Sequence, residues 1–192
     1  MLLTDPAPAS ALATLPMVAA LALHKAIVDL APDLHDRLKI KWPNDLLLDG
    51  QKLSGILLEA QPDKRGRKAV IIGFGVNCRH YPDNSFYPAT SLAAHGLDVA
   101  PDGLFSVLAG TMARELRIWS QGQGFSIIRR EWLDRCSGIG EPIIARFPDH
   151  EIKGKFVDLD IAGLLILQDE AGHRHTISAA DIFFGNSATM GA

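Results

Sequence analysis

The run DLLLDGQKLSGILLEA, residues 45–60, contains two apolar stretches hinged at Asp49-Gly50. An Asp-Gly pair between such stretches is the strongest short-range signal for a β-hairpin. Ahead of it, RLKIKW (37–42) alternates polar and apolar residues and reads as a strand. That strand cannot keep pairing at Pro43, which has no N–H to give, so the chain must turn there. KAVIIGFGVNCRH (68–80) is a further β-type run, interrupted by Gly73 and Gly75. The polar connection QPDKRGRK (61–68) between the runs is expected to form a hairpin tip. Successive hairpins of this kind predict a mixed or antiparallel sheet.

Helices are expected around that sheet, giving an α/β (α+β) fold class. TLPMVAALALHKAIVDLA (14–31) has apolar residues at helical spacing from Val18 to Leu30, with Thr14 as its N-cap and Pro32 helping to end it. LFSVLAGTMARELRIWSQG (104–122) and FSIIRREWLDRC (125–136) read as two more helices, with Gly122 and Gly124 as stop signals between them. From Gly140 the pattern changes to short β-type runs separated by turn signals at 148–149, 162–163 and 171–172. That spacing predicts a small β-barrel or sandwich of its own. The expected organisation is therefore one unit over 1–138 and a second over 139–186.

Composition sets the remaining bounds. A chain of 192 residues, 47% hydrophobic and 21% charged, can bury a core without metal or disulfides. The net charge of -3 gives no sign of a nucleic-acid-binding face. Cys78 and Cys136 lie far apart without metal-ligand spacing and read as reduced thiols. The apolar run 12–31 carries His24, Lys25 and Asp29, lacks a basic leader, and reads as too short for a membrane span, so a cytoplasmic protein with no membrane partner is expected.

Chemistry concentrates around the first hairpin. Asn44 and Asp45 fall at a strand end, one offering a donor and an acceptor, the other charge and metal affinity. Lys52 follows the turn within reach of the same end of the sheet, and Gly55 permits close approach of a ligand or a second backbone. In GFGVN (73–77), Gly75 and Asn77 fall on one face with Gly73 because side chains alternate along a strand. A lysine and an aspartate beside a glycine-thinned sheet suit an anionic ligand with a bound cation, such as a nucleotide. Plain turn residues and a solvated lysine remain the alternative at 44–52, and a bulge with tight sheet packing the alternative at 73–77. GFGVN is not a dinucleotide-binding fingerprint, since no third glycine follows and no helix opens there.

KWPNDLLLDGQKLSGILLEA (41–60), followed by GFGVN and by ATSL (89–92), resembles the biotin protein ligases, and the β-rich C-terminal region resembles their SH3-like domain. The resemblance covers nearly the whole chain. It implies a biotin/lipoate ligase-type fold and a two-step reaction: ATP activates biotin to biotinyl-5′-AMP, and the acyl group passes to a lysine of a biotin carboxyl carrier domain. It implies that Lys52 is the catalytic cation beside the biotin carboxylate and the α-phosphate. It places Asn44 and Asp45 near the adenylate, with Asp45 toward Mg2+, and sets Gly55 against biotin. Gly75 and Asn77 match the strand holding the nucleotide, and Lys41 and Trp42 take structural roles.

Two family features are not found. The upstream loop of the type Gly-Arg-Gly-x-x-Gly-Arg-x-Trp is absent, and KRGRK (64–68) reads as a solvated tip rather than a relic of it. ISAADIFFGN (177–186) has no arginine where the family often places one. The expectations are impaired activity, weak biotin binding, and an uncovered apolar area at Leu2, Leu3 and 70–72 that a homodimer would hide. With no helix-turn-helix, no DNA binding is expected. The competing readings are a non-catalytic homologue that binds or dimerises and a lipoate ligase, the latter disfavoured by the Lys-Trp-Pro-Asn-Asp string.

Overall fold

The computed structural model describes residues 1–62, 65, 67–82 and 88–184. The hairpins predicted around the site are present. Strands β1 (Leu2–Thr4), β2 (Leu38–Lys41), β3 (Asp45–Leu48), β4 (Gln51–Pro62) and β5 (Lys68–Val76) form a five-stranded sheet in the order β1-β5-β4-β3-β2. Every neighbouring pair is antiparallel. At the β3–β4 turn, Asp49 and Gly50 have φ of 50° and 76°. Two successive residues at positive φ match the right-handed twist of the flanking strands, which explains why Gly follows Asp there. Pro62 pairs with Lys68, so 61–68 closes a hairpin, although part of KRGRK lies outside the described residues.

Helices cover one face of this sheet. A short α1 (Ala9–Leu12) leads into α2 (Leu15–Leu30), which packs against α3 (Pro101–Trp119) and α4 (Phe125–Leu133). Residues from Met17 through His24 are all buried, so α2 is apolar round its whole circumference, as a helix enclosed on all sides must be. By length and hydropathy the stretch Ala9–Leu30 does reach what a membrane crossing needs, contrary to the sequence reading, but 67% of its apolar window is buried inside the fold. The Lys25 ammonium of α2 is paired: it meets Glu115 of α3 at 2.9 Å and Glu131 of α4 at 2.5 Å.

Thr14 does stand at the N-cap of α2, but it makes no side-chain cap bond. Its hydroxyl donates to the Ala11 carbonyl at 2.7 Å and accepts the indole N–H of Trp119 at 2.8 Å. The demand of a fully buried Trp119 for an acceptor outweighs capping here.

Strands β6 (Pro142–Arg146), β7 (Glu151–Leu159), β8 (Leu165–Gln168), β9 (Arg174–Ile177) and β10 (Asp181–Phe184) make a second antiparallel sheet in the order β10-β6-β7-β8-β9. Both sheets are strictly antiparallel, which narrows the mixed or antiparallel expectation. Contacts among the described residues tie the second sheet to the first part of the chain. The Trp42 indole donates to the Gly163 carbonyl at 3.0 Å in the β7–β8 turn. Arg129 of α4 donates to the Leu159 carbonyl and, at 2.6 Å, to the Asp158 carboxylate. Trp42 thus has the structural role expected of it.

The apolar area expected to be open is only partly so: Leu2 is exposed, but Leu3, Val70 and Ile72 face the core. Val70 and Ile72 are 2% and 1% exposed, and Leu3 packs against the core. Alternation along the strands explains this, since those three point to the helix-covered face. The opposite face exposes Leu2 by 64% and Leu57 by 63%.

Candidate functional site

The open face of the first sheet is built from glycine-bearing positions directly opposite one another. Gly55 pairs with Gly75, Leu57 with Gly73, and Asp45 with Gly55 across the neighbouring strand. With no side chains at 55, 73 and 75, the sheet surface is bare backbone, onto which a flat or extended ligand can lie. A Cβ placed at Gly55 would sit 3.3 Å from Asp45 Oδ1 and 3.6 Å from Lys52 Nζ, so any larger residue there would crowd both charges.

Lys52 reaches this face because of a β-bulge. Leu46 pairs with Ser54 and Leu47 with Lys52, which leaves Leu53 as an extra residue in β4. Strict alternation would have sent Lys52 to the same side as Ser54, which is buried at 2% exposure. The bulge reverses the phase and re-aims Lys52 to the open face. Its ammonium lies 2.6 Å from Asp45 Oδ2, with side chains 40% and 20% exposed.

Asn44, Asp45, Lys52, Gly55 and Gly75 line one open concavity of about 660 Å³, joined there by Asp181 from β10. Asn44 holds its place by donating to the Ile56 carbonyl. Five of the six site residues read from the sequence are thus brought together. Asn77 does not line the concavity. Its amide donates to the Thr90 carbonyl at 2.9 Å and to the Lys52 carbonyl at 3.4 Å, so it braces the backbone behind Lys52.

The sequence reading missed what the second sheet contributes. Asp181 lines the concavity, and Phe183 and Phe184 line an adjoining pocket of about 110 Å³ with Lys41, Asp45 and Lys52. No local pattern marks β10 as a site element, because its approach to β3 and β4 depends on how the two sheets meet. Lys41, given a structural role, also belongs to this charged group. Its ammonium lies 5.9 Å from the centre of the Phe184 ring, within cation–π range. Burial pushes the Lys41 ammonium down from its ordinary range and Lys52 adds to that, while Asp45 and Asp181 pull it back. Among the described residues, no three His, Cys, Asp or Glu side chains converge as a ready-made metal site.

Two antiparallel sheets, helices on one face of the first and a lysine–aspartate pair over bare glycine backbone on the other define a fold of the biotin/lipoate ligase type. Residues 2–77 match the family described as "Biotin/lipoate A/B protein ligase family", and residues 138–185 match "Biotin protein ligase C terminal domain". Over 187 residues the chain is 43% identical to the biotin--[acetyl-CoA-carboxylase] ligase of Paracoccus denitrificans, an alignment covering 92% of this chain and 75% of that protein. It is 33% identical over 176 residues to the bifunctional ligase/repressor BirA of Bacillus subtilis, covering 89% of this chain and 53% of that protein. The structure of biotin protein ligase from Aquifex aeolicus in complex with biotin and ATP shares the fold, with a TM-score of 0.76 at 23% identity, covering 95% of this chain and 75% of that one. The chain belongs to the biotin protein ligase family.

Proposed function

We propose that this protein activates biotin with ATP and transfers the biotinyl group to a lysine of a biotin carboxyl carrier domain. The observation that carries this is the Lys52 ammonium, held 2.6 Å from Asp45 above the Gly55–Gly75 backbone. In the first step the biotin carboxylate oxygen bonds to the α-phosphorus of ATP and pyrophosphate leaves. Negative charge gathers on the carboxylate and phosphate oxygens as they approach, and a fixed cation offsets it. In the second step the carrier lysine amine bonds to the acyl carbon and AMP leaves.

Lys52 is the catalytic residue of the first step in this reading. Asn44 and Asp45 contact the adenylate, Gly55 lets biotin lie against the sheet, and Gly75 does the same for the nucleotide. Asn77 acts from behind, through the backbone of Lys52. Asp45 together with Asp181 suits Mg2+, which is commonly held by one or two carboxylates plus substrate phosphates. The metal would neutralise phosphate charge. The chain is read as two units, 1–138 and 139–186, with the second supplying one wall of the site.

Incubation with biotin, ATP labelled at the α-phosphate and a carrier domain tests the proposal. Labelled biotinyl-5′-AMP should form without the carrier, and biotinylated carrier with it. Lipoate in place of biotin should give neither, and a preference for lipoate would overturn the assignment. We further propose a homodimer, supported by Leu2 and Leu57, which are both exposed on the open face. Light scattering at micromolar concentration should return twice the chain mass, and a monomer would refute it.

A further inference from the structure

Lys52 is gripped by a segment to which the proposed chemistry gives no part. Its amide donates to the Pro88 carbonyl at 2.8 Å and its carbonyl accepts the Thr90 amide at 3.0 Å. Residues 88–90 therefore run beside it as a short parallel rung, with Ala89 opposite Lys52. This rung replaces sheet pairing that is missing at that point. The last β4–β5 pair is Ser54 with Val76, so β5 does not reach Lys52, and the bulge disturbs the ladder on the β3 side.

Thr90 is fixed in turn. Its carbonyl accepts from Asn77, and its hydroxyl lies 2.9 Å from His95 Nε2 with the residue 2% exposed. His95 Nδ1 lies 2.8 Å from Arg37 Nη2. A guanidinium has only donors, so Nδ1 accepts and the ring proton sits on Nε2, directed at Thr90. Arg37 forks onto the Asp49 carboxylate, with Nε at 3.1 Å and Nη2 at 2.5 Å. Asp49 is the first residue of the β3–β4 turn, three positions before Lys52. The contacts form a closed ring from the Lys52 backbone through Thr90, His95, Arg37 and Asp49, and back along the start of β4.

We infer that this ring fixes the backbone of Lys52 so that its ammonium stands over the open face, which makes Thr90 and His95 positioning residues. The inference rests on the reading of Lys52 as the activating cation. Arg37 and Asp49 are each 42% exposed at the side chain, and exposed ion pairs add little to global stability, so a ring ending there is better suited to local register than to holding the fold together. Misplacing a reacting group by about 1 Å can cost on the order of 100-fold in rate.

Thr90→Val removes the hydroxyl at nearly constant volume, and Thr90→Ser keeps it. Thr90→Val should lower kcat for biotinyl-AMP formation roughly 10- to 100-fold, with KM for biotin and ATP nearly unchanged, and Thr90→Ser should restore most of the rate. Arg37→Met breaks the ring at an exposed residue and should act in the same direction, which covers the case of a Thr90→Val protein that fails to fold. Full kcat in both Thr90→Val and Arg37→Met would overturn the inference. So would a loss of kcat that tracks a fall in Tm and is not rescued by serine. Amide hydrogen exchange at Lys52 and Thr90 separates this from the function itself. If the wild-type protein makes no adenylate, the proposed function falls, yet faster exchange at those two amides in Thr90→Val and Arg37→Met, and not in Thr90→Ser, still supports the ring. Unchanged exchange in both variants overturns it.

Discussion

Replacing Lys52 with alanine is expected to lower biotinyl-5′-AMP formation roughly 100- to 1,000-fold, the usual effect of deleting one preorganised group that stabilises developing charge. The expectation follows from where the bulge puts the ammonium: on the bare face of the sheet, 2.6 Å from Asp45, with no second described lysine so exposed to the concavity. Lys41 lies close by but is more deeply buried and its ammonium is pushed down, so it is poorly suited to take over. The fold should tolerate the change. Lys52 is 40% exposed at the side chain, its ion pair with Asp45 is partly screened by solvent, and its other bonds are made by its backbone, so stability should shift by no more than about 1 kcal/mol. Single-turnover adenylate synthesis beside a thermal melt checks both halves. Near-normal synthesis by Lys52→Ala would remove the residue from the mechanism.

Acid should destabilise the protein through His24. This imidazole is buried on α2, bonds the Leu38 carbonyl through Nε2 at 3.1 Å, and has no partner for Nδ1 among the described residues. Burial is the main reason its pKa falls from 6.5 to about 4, with the charges of Arg135, His35 and Lys39 adding to it and the Leu38 bond opposing. The direction follows directly. Above pH 6.5 the ring is neutral in folded and unfolded chains alike. Between pH 6.5 and about 4 the unfolded chain takes up a proton that the folded chain refuses, so folding stability falls with pH. Below about 4 both states are protonated and the loss stops growing. At about 1.4 kcal/mol per pH unit, the full loss is about 3 kcal/mol. Denaturant unfolding of wild type and His24→Leu across that range isolates the effect as the difference between two curves. Parallel curves would show that His24 does not titrate in this way.

How far the sequence could be read depended on the range of the cause. The β3–β4 hairpin follows from two adjacent residues that accept positive φ, and the strand at 37–42 from alternation, so both were legible. The lysine–aspartate pair was legible only as neighbours in sequence. Its face depends on a single extra residue, Leu53, and nothing in LSGIL marks a bulge, since Leu-Ser-Gly fits a regular strand as well. Val70 and Ile72 sit in an apolar run that gives no phase by itself, and their face became clear only from their partners in β1 and β4. Thr14 reads as a helix cap until Trp119, far along the chain, claims its hydroxyl. The wall made by Asp181 and Phe184 needed the docking of two sheets, which depends on contacts such as Trp42 with Gly163 that no window of sequence contains. The charged ring through His95 and Arg37 was out of reach for the same reason.

The all-round apolar character of α2 has a consequence for the chain as it is made. A helix with one greasy side can settle on the first sheet that forms beneath it, but α2 needs cover from α3 and α4 as well, and these are encoded by residues 101–133. Translation proceeds at about 5–20 residues per second, so several seconds pass between the emergence of Leu15–Leu30 and that of its covering helices. Throughout that interval the stretch Ala9–Leu30, long and apolar enough to cross a membrane by length and hydropathy, lacks its later cover. In the finished fold 67% of that apolar window is buried, and the partners that arrive later bring two acidic groups, Glu115 and Glu131, to Lys25.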